Sequence, residues 1–153
     1  MVDAVNSGYQ ATAQTVSWAA NGPDSLATTA WSDPSNVIDN STFKYLMADF
    51  TLSITCASVQ MADGDTVSMY LLPQVEDGTD PAWQGGDATA AAPENEQYYV
   101  GSFTYTTGTG AQIANLRDVV LPPGQYKIGI RNNGAGTTTA ATLKWRPHGF
   151  SSQ

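Results

Sequence analysis

The chain has 153 residues, with 6 Lys or Arg against 14 Asp or Glu, one His, one Cys and a formal net charge of −8. That length suits one domain that buries about 70% of its unfolded surface, and a single cysteine excludes an internal disulfide. No apolar run reaches the roughly 18 residues of a membrane helix. The start, MVDAVNSGYQ, lacks the basic and apolar regions of a secretion signal, so the expectation is a chain that is cytosolic when made, neither secreted by a cleaved signal nor membrane-spanning.

The charge is unevenly spread. Residues 1–116 hold thirteen acids and one base, Lys44, whereas residues 117–153 hold five bases and one acid, Asp118. The excess of acid repels polyphosphate, so free nucleic acid is not an expected partner. It also keeps a polar, threonine-rich domain soluble.

In chain order, residues 1–12 are small and polar and read as an arm with no core of its own. Val16, Trp18 and Ala20 alternate with polar or small neighbours, which predicts a first strand ending at the breaker cluster Asn21-Gly22-Pro23-Asp24. Leu26 to Trp31 reads as a short second strand, and Asp33-Pro34-Ser35-Asn36 as a turn. Val37 to Ser41 is either a helical turn or a short edge strand. Leu46, Ala48, Phe50, Leu52, Ile54 and Cys56 hold period two, which a helix cannot place on one face. Cys56 reads as a small buried hydrophobe within that strand. After a turn at Asp63-Gly64-Asp65, Thr66 to Leu72 forms a strand that Pro73 is expected to stop.

Residues 73–97 show no periodicity, are acidic and carry no base. Loops beyond about 12–15 residues within a compact domain are usually functional or disordered. Tyr99, Gly101, Phe103 and Tyr105 then alternate in a strand, ended by Thr107-Gly108-Thr109-Gly110. Val119 to Asn133, VVLPPGQYKIGIRNN, reads as a hairpin with Pro123 and Gly124 at the centre of a type II turn. Ala141, Leu143 and Trp145 predict a strand returning beside the second arm of that hairpin.

About seven to nine short strands separated by glycine and proline turns predict an all-β protein, an antiparallel β-sandwich of jelly-roll type. The sandwich is expected over residues 13–153, with the polar N-terminal arm 1–12 and the long loop 73–97. Trp18, Phe50, Phe103 and Trp145 are the aromatics expected between the sheets.

The residues offer little to catalysis. His148, the single histidine, follows Pro147 and has no serine or cysteine motif around it. Asp63/Asp65 and Glu94/Glu96 are carboxylate pairs at a spacing common in solvated turns, and glycoside hydrolysis needs two carboxyls facing each other across a cleft. The acidic turns at 76–80 and 63–65 offer oxygen ligands suited to calcium without matching an EF-hand. With one cysteine and one histidine, zinc is expected to be excluded in practice. No cofactor and no metal are therefore expected. Trp83, outside any strand pattern, reads as a sugar platform, an interface anchor or a cap folded over one end of the sandwich.

Five segments together resemble a family of small structural proteins of tailed bacteriophages. They are VSMYLLP at 67–73, EDGTD at 76–80, YYVGSFTY at 98–105, VVLPPGQYKIGIRNN at 119–133 and TLKWRPHGF at 142–150. The family pattern is a strand ending Leu-Pro, an Asp-Gly-Thr turn, a Gly-Ser/Thr-Phe strand, Leu-Pro-Pro-Gly-x-Tyr/Phe-Lys, an Arg/Gln-Asn pair with glycine, and a terminal Leu-Lys-x-Arg-Pro. The resemblance covers residues 67–150, and residues 1–66 carry no comparable signal. It implies a non-enzymatic virion protein, foremost a capsid decoration (cement) protein that binds the outside of the head as a homo-oligomer, often a trimer. Its partner would then be the major capsid protein and its location the capsid surface, with no membrane contact. A tail or fibre component with a carbohydrate-binding sandwich is the alternative. Either way, the expected interface residues are Val2, Val5 and Tyr9 of the arm and Asp77, Asp80 and Trp83 of the loop.

Overall fold

The computed structural model describes residues 12–41, 45–56, 61–76, 81–83, 98–108 and 110–149. Nine strands are present and no α-helix occurs among the described residues: β1 (Gln14–Thr15), β2 (Ile38–Asp39), β3 (Met47–Cys56), β4 (Thr66–Glu76), β5 (Pro81–Trp83), β6 (Tyr99–Thr104), β7 (Gln112–Val120), β8 (Gln125–Asn132) and β9 (Thr138–His148). They form two antiparallel sheets. The first has the order β1-β9-β3-β7; the second runs β2-β8-β4, and the far side of β4 is shared by β6 and then β5. Strands β1 to β4 alternate between the sheets, as do β6 to β9, which is the double wrap of a jelly roll.

The core lies between the sheets. Ala48, Phe50, Leu52 and Ile54 of β3 and Leu143 and Trp145 of β9 face Val67, Met69 and Leu71 of β4 and Tyr126, Ile128 and Ile130 of β8, all buried. Strict alternation on β3 has a direct cause: its outer face carries Asp49, Thr51, Ser53 and Thr55, which stay in contact with water. Phe103 and Tyr105 close one side of the core, and the Tyr105 hydroxyl donates to the Leu52 carbonyl at 3.2 Å.

The hairpin expected across 119–133 is not formed. β7 pairs with β3 in the first sheet, β8 pairs with β4 and β2 in the second, and β9 lies beside β3 rather than β8. Pro122-Pro123-Gly124 is a corner that carries the chain from one sheet to the other. Leu121 N–H donates to the Leu46 carbonyl at 2.9 Å on one side, and Asn40 N–H donates to the Gly124 carbonyl at 3.1 Å on the other. Gly124 is also not among the glycines with positive φ, so the type II turn is absent. The reason is general: alternation says which face of a strand is apolar, and a sandwich offers that face two sheets.

Other boundaries also move. The strand expected at residues 16–20 reduces to β1 at Gln14–Thr15, with Val16 buried and Trp18 joined to Ser35 by a single bridge. Residues 26–31 are not a strand, because Ser25 and Thr29 take left-handed φ values of 66° and 63° and turn the chain twice. Of the two readings of residues 37–41, the edge strand β2 is the one formed. Pro73 does not stop β4, which runs on to Glu76 with Pro73 opposite Tyr126.

Tyr99 does not share the inward face with Phe103. A register shift opposite Met69 and Tyr70 leaves Tyr99 47% exposed. There its ring meets Tyr70 edge-on at 5.6 Å, and Tyr70 meets Trp31 at 4.8 Å.

Beyond β2, the segment 30–35 protects the edge of β8. Ser32 and Ser35 N–H groups donate to the carbonyls of Ile130 and Ile128, while their hydroxyls accept the N–H groups of those same two residues. Pro34 interrupts a regular ladder here, and the serine hydroxyls supply the acceptors that a backbone would have offered.

Candidate functional site

The outer face of the β1-β9-β3-β7 sheet is the open one. Its strands present polar side chains in cross-strand rows, with Thr51 opposite Lys144 on β9 and Asn115 on β7, and Asp49 opposite Arg146. Thr51 Oγ1 donates to Asn115 Oδ1 at 2.7 Å. A groove of about 290 Å³ opens on this face, lined by Asp49, Thr51, Asn115, Arg117, Lys144 and Arg146, with Ala13 at its rim. Three of the chain's six Lys and Arg residues therefore converge on one surface of an acidic protein.

At one end of this face lies a bulge. The register of β3 and β7 passes from Ala48↔Val119 to Phe50↔Leu116, so Arg117 and Asp118 both stand opposite Asp49. Asp118 takes φ 53°, a left-handed conformation that Asp tolerates better than most residues, and its N–H donates to Asp49 Oδ1 at 3.0 Å. The bulge turns the Asp118 carboxylate toward the end of β9. There His148 Nε2 lies 3.3 Å from Asp49 Oδ1 and 3.5 Å from Asp118 Oδ1. The three side chains come from three neighbouring strands, and their side-chain exposures of 22%, 69% and 12% grade from a covered imidazole to an open carboxylate.

None of the six residues expected at an interface can be placed against this site. Val2, Val5, Tyr9, Asp77 and Asp80 lie outside the described residues, and Trp83 is described only as the last residue of β5, paired with Gln74. The carboxylate pair Asp63/Asp65 serves a turn. Asp63 Oδ1 accepts the Thr107 N–H at 2.7 Å, and Asp65 Oδ2 accepts those of Ala62 and Ala135 at 2.8 and 2.9 Å. Glu94 and Glu96 lie outside the described residues.

The His148 cluster escaped the sequence because its members are 69 and 30 residues apart and meet only through sheet pairing. The signal that pointed to the face was the run of bases after residue 116, which places Arg117, Lys144 and Arg146 on two strands of one sheet. No protein-family profile matches the chain, and no curated protein matches it.

Proposed function

We propose that this chain is a non-enzymatic virion structural protein that decorates the outside of a bacteriophage head as a cement protein. The observation that carries the reading is the jelly-roll strand order together with the open outer sheet face. This scaffold leaves a polar, cation-lined surface and a long edge strand, β7, available to a neighbour. On β7, Ile113 and Val120, toward opposite ends of the strand, are 67% and 71% exposed apolar side chains that suit burial against another subunit. The ordered segments LPPGQYK and LKWRP add the resemblance to phage structural proteins. In this reading the protein binds the major capsid protein, and copies associate around a symmetry axis, as a trimer foremost. The arm 1–12 and the segment 73–97, whose residues 73–76 end β4 and 81–83 form β5, contact shell or sister subunits, by strand addition in the case of the arm.

The alternative, a tail or fibre sandwich that binds glycans, calls for adjacent exposed aromatic faces. The described aromatic row Trp31–Tyr70–Tyr99 supports it less, since Tyr70 is 9% exposed and its ring is engaged by both neighbours.

The test is co-sedimentation of the purified protein with heads that lack it, with its solution mass measured by light scattering. Saturable binding at a fixed ratio to the major capsid subunit, lost on deletion of residues 1–12 while the sandwich stays folded, is the expected result. No binding to heads would remove the cement reading. Binding retained without the arm would remove the arm's role.

A further inference from the structure

We infer that Asp49, Asp118 and His148 form a binding site for one first-row transition-metal ion, of which Zn(II) is the reference case. The distances argue for it. A charge-assisted N–H···O bond between imidazole and carboxylate runs about 2.7–2.9 Å, whereas His148 Nε2 makes a long hydrogen bond of 3.3 Å with Asp49 Oδ1 and stands 3.5 Å from Asp118 Oδ1. Zinc–ligand bonds of about 2.0–2.2 Å set tetrahedral ligand atoms about 3.4 Å apart, which matches both separations. One Nε2–H can also point at only one carboxylate, while a metal ion at that position bonds to the nitrogen and both oxygens at once. All three ligand atoms lie within 4.8 Å of one another, and the exposed Asp118 side chain is free to close the widest gap.

The surrounding residues select the kind of ion. Asp49 is held in place by the Asp118 N–H, so the first ligand is oriented by the backbone that carries the second. Arg117, Lys144 and Arg146 line the groove on which Asp49 also borders. Their positive charge opposes any dication, so the bonding must be strong, and the imidazole nitrogen among the three donors favours ions of the zinc type over Ca²⁺ and Mg²⁺, which take oxygen ligands. Such an ion would tie β3, β7 and β9 together at the bulge and leave its remaining coordination to water, or to a donor from another molecule, on the Asp118 side.

This inference is independent of head binding and is read on the purified, tag-free full chain. Zn(II) is titrated into metal-stripped protein by calorimetry, and Co(II) is added separately to record its visible absorption. The expected result is one Zn(II) per chain, an intense Co(II) spectrum typical of four-coordination, and at least about tenfold weaker Zn(II) binding in both H148Q and D118N. Asp118 is exposed and Asn also tolerates left-handed φ, so D118N keeps the fold even if H148Q does not, as far-ultraviolet circular dichroism would verify. Wild-type protein without saturable Zn(II) uptake, or D118N binding as tightly as wild type, would overturn the site. Calcium binding as tight as that of Zn(II) would overturn the choice of ion.

Discussion

Asn40 and Pro122, 82 positions apart, are joined by a hydrogen bond of 2.9 Å from Asn40 Nδ2 to the Pro122 carbonyl. The same amide nitrogen donates to the Tyr45 carbonyl at 2.8 Å, and Asn40 Oδ1 accepts the Tyr45 N–H at 2.9 Å. One side chain, 1% exposed, thus clamps the β2–β3 connection to the corner at which the chain passes between sheets. Asn40→Ala strips three backbone groups of their partner in a buried place. The expected loss is on the order of 3 kcal/mol, since each unsatisfied buried group costs about 1–3 kcal/mol and relaxation recovers part of it. Urea unfolding monitored by tryptophan fluorescence checks this, and a loss below about 1 kcal/mol would show that water replaces the clamp.

Two core tyrosines make a contrasting pair. Both phenols are pushed far above their ordinary pKa, chiefly by burial, so neither ionises in ordinary buffers. Tyr105 has a partner in the Leu52 carbonyl, whereas the Tyr126 hydroxyl is buried with none among the described residues. Tyr105→Phe is therefore expected to cost about 1 kcal/mol. Tyr126→Phe is expected to leave stability unchanged or raise it by about 1 kcal/mol, because it removes an unpaired polar atom at nearly constant volume. Paired melting curves decide it, and equal losses in both variants would refute the distinction.

Acid sensitivity is expected at Asp39. Its carboxyl is held below the ordinary range by hydrogen bonds from Ser41, side chain and backbone, and from Gln125 on β8. A lowered folded-state pKa contributes stability above the unfolded value and loses it as pH falls through the folded one. Asp39→Asn should therefore lower the melting temperature at neutral pH and make no difference at a pH below the carboxylate range. The group is fully exposed, so the gap should be small and should shrink further in high salt. A gap that persists in acid would assign the effect to the side chain's shape instead of its charge.

The sequence by itself determined the class of this protein and much of its inner surface. Period two across β3 forced Ala48, Phe50, Leu52 and Ile54 onto one face, and the breakers at 63–65 and 107–110 separated strands where the structure separates them. The sandwich follows, because strands with one apolar face and no helix to cover it must cover each other.

Which strands pair was decided only in three dimensions. β7, β8 and β9 are consecutive and equally well patterned, yet β8 lies in the opposite sheet from the other two. Neither alternation nor a Pro-Pro-Gly corner distinguishes a hairpin from a crossing; the anchors at Asn40 and Leu46, remote in sequence, do. Pro73 and Tyr99 depended in the same way on neighbours across the sheet. The Asp49–Asp118–His148 cluster is the extreme case. One bulge, two strand registers and a left-handed aspartate bring together three residues that share no local pattern, since side-chain chemistry at a sheet surface is set by which strands lie side by side.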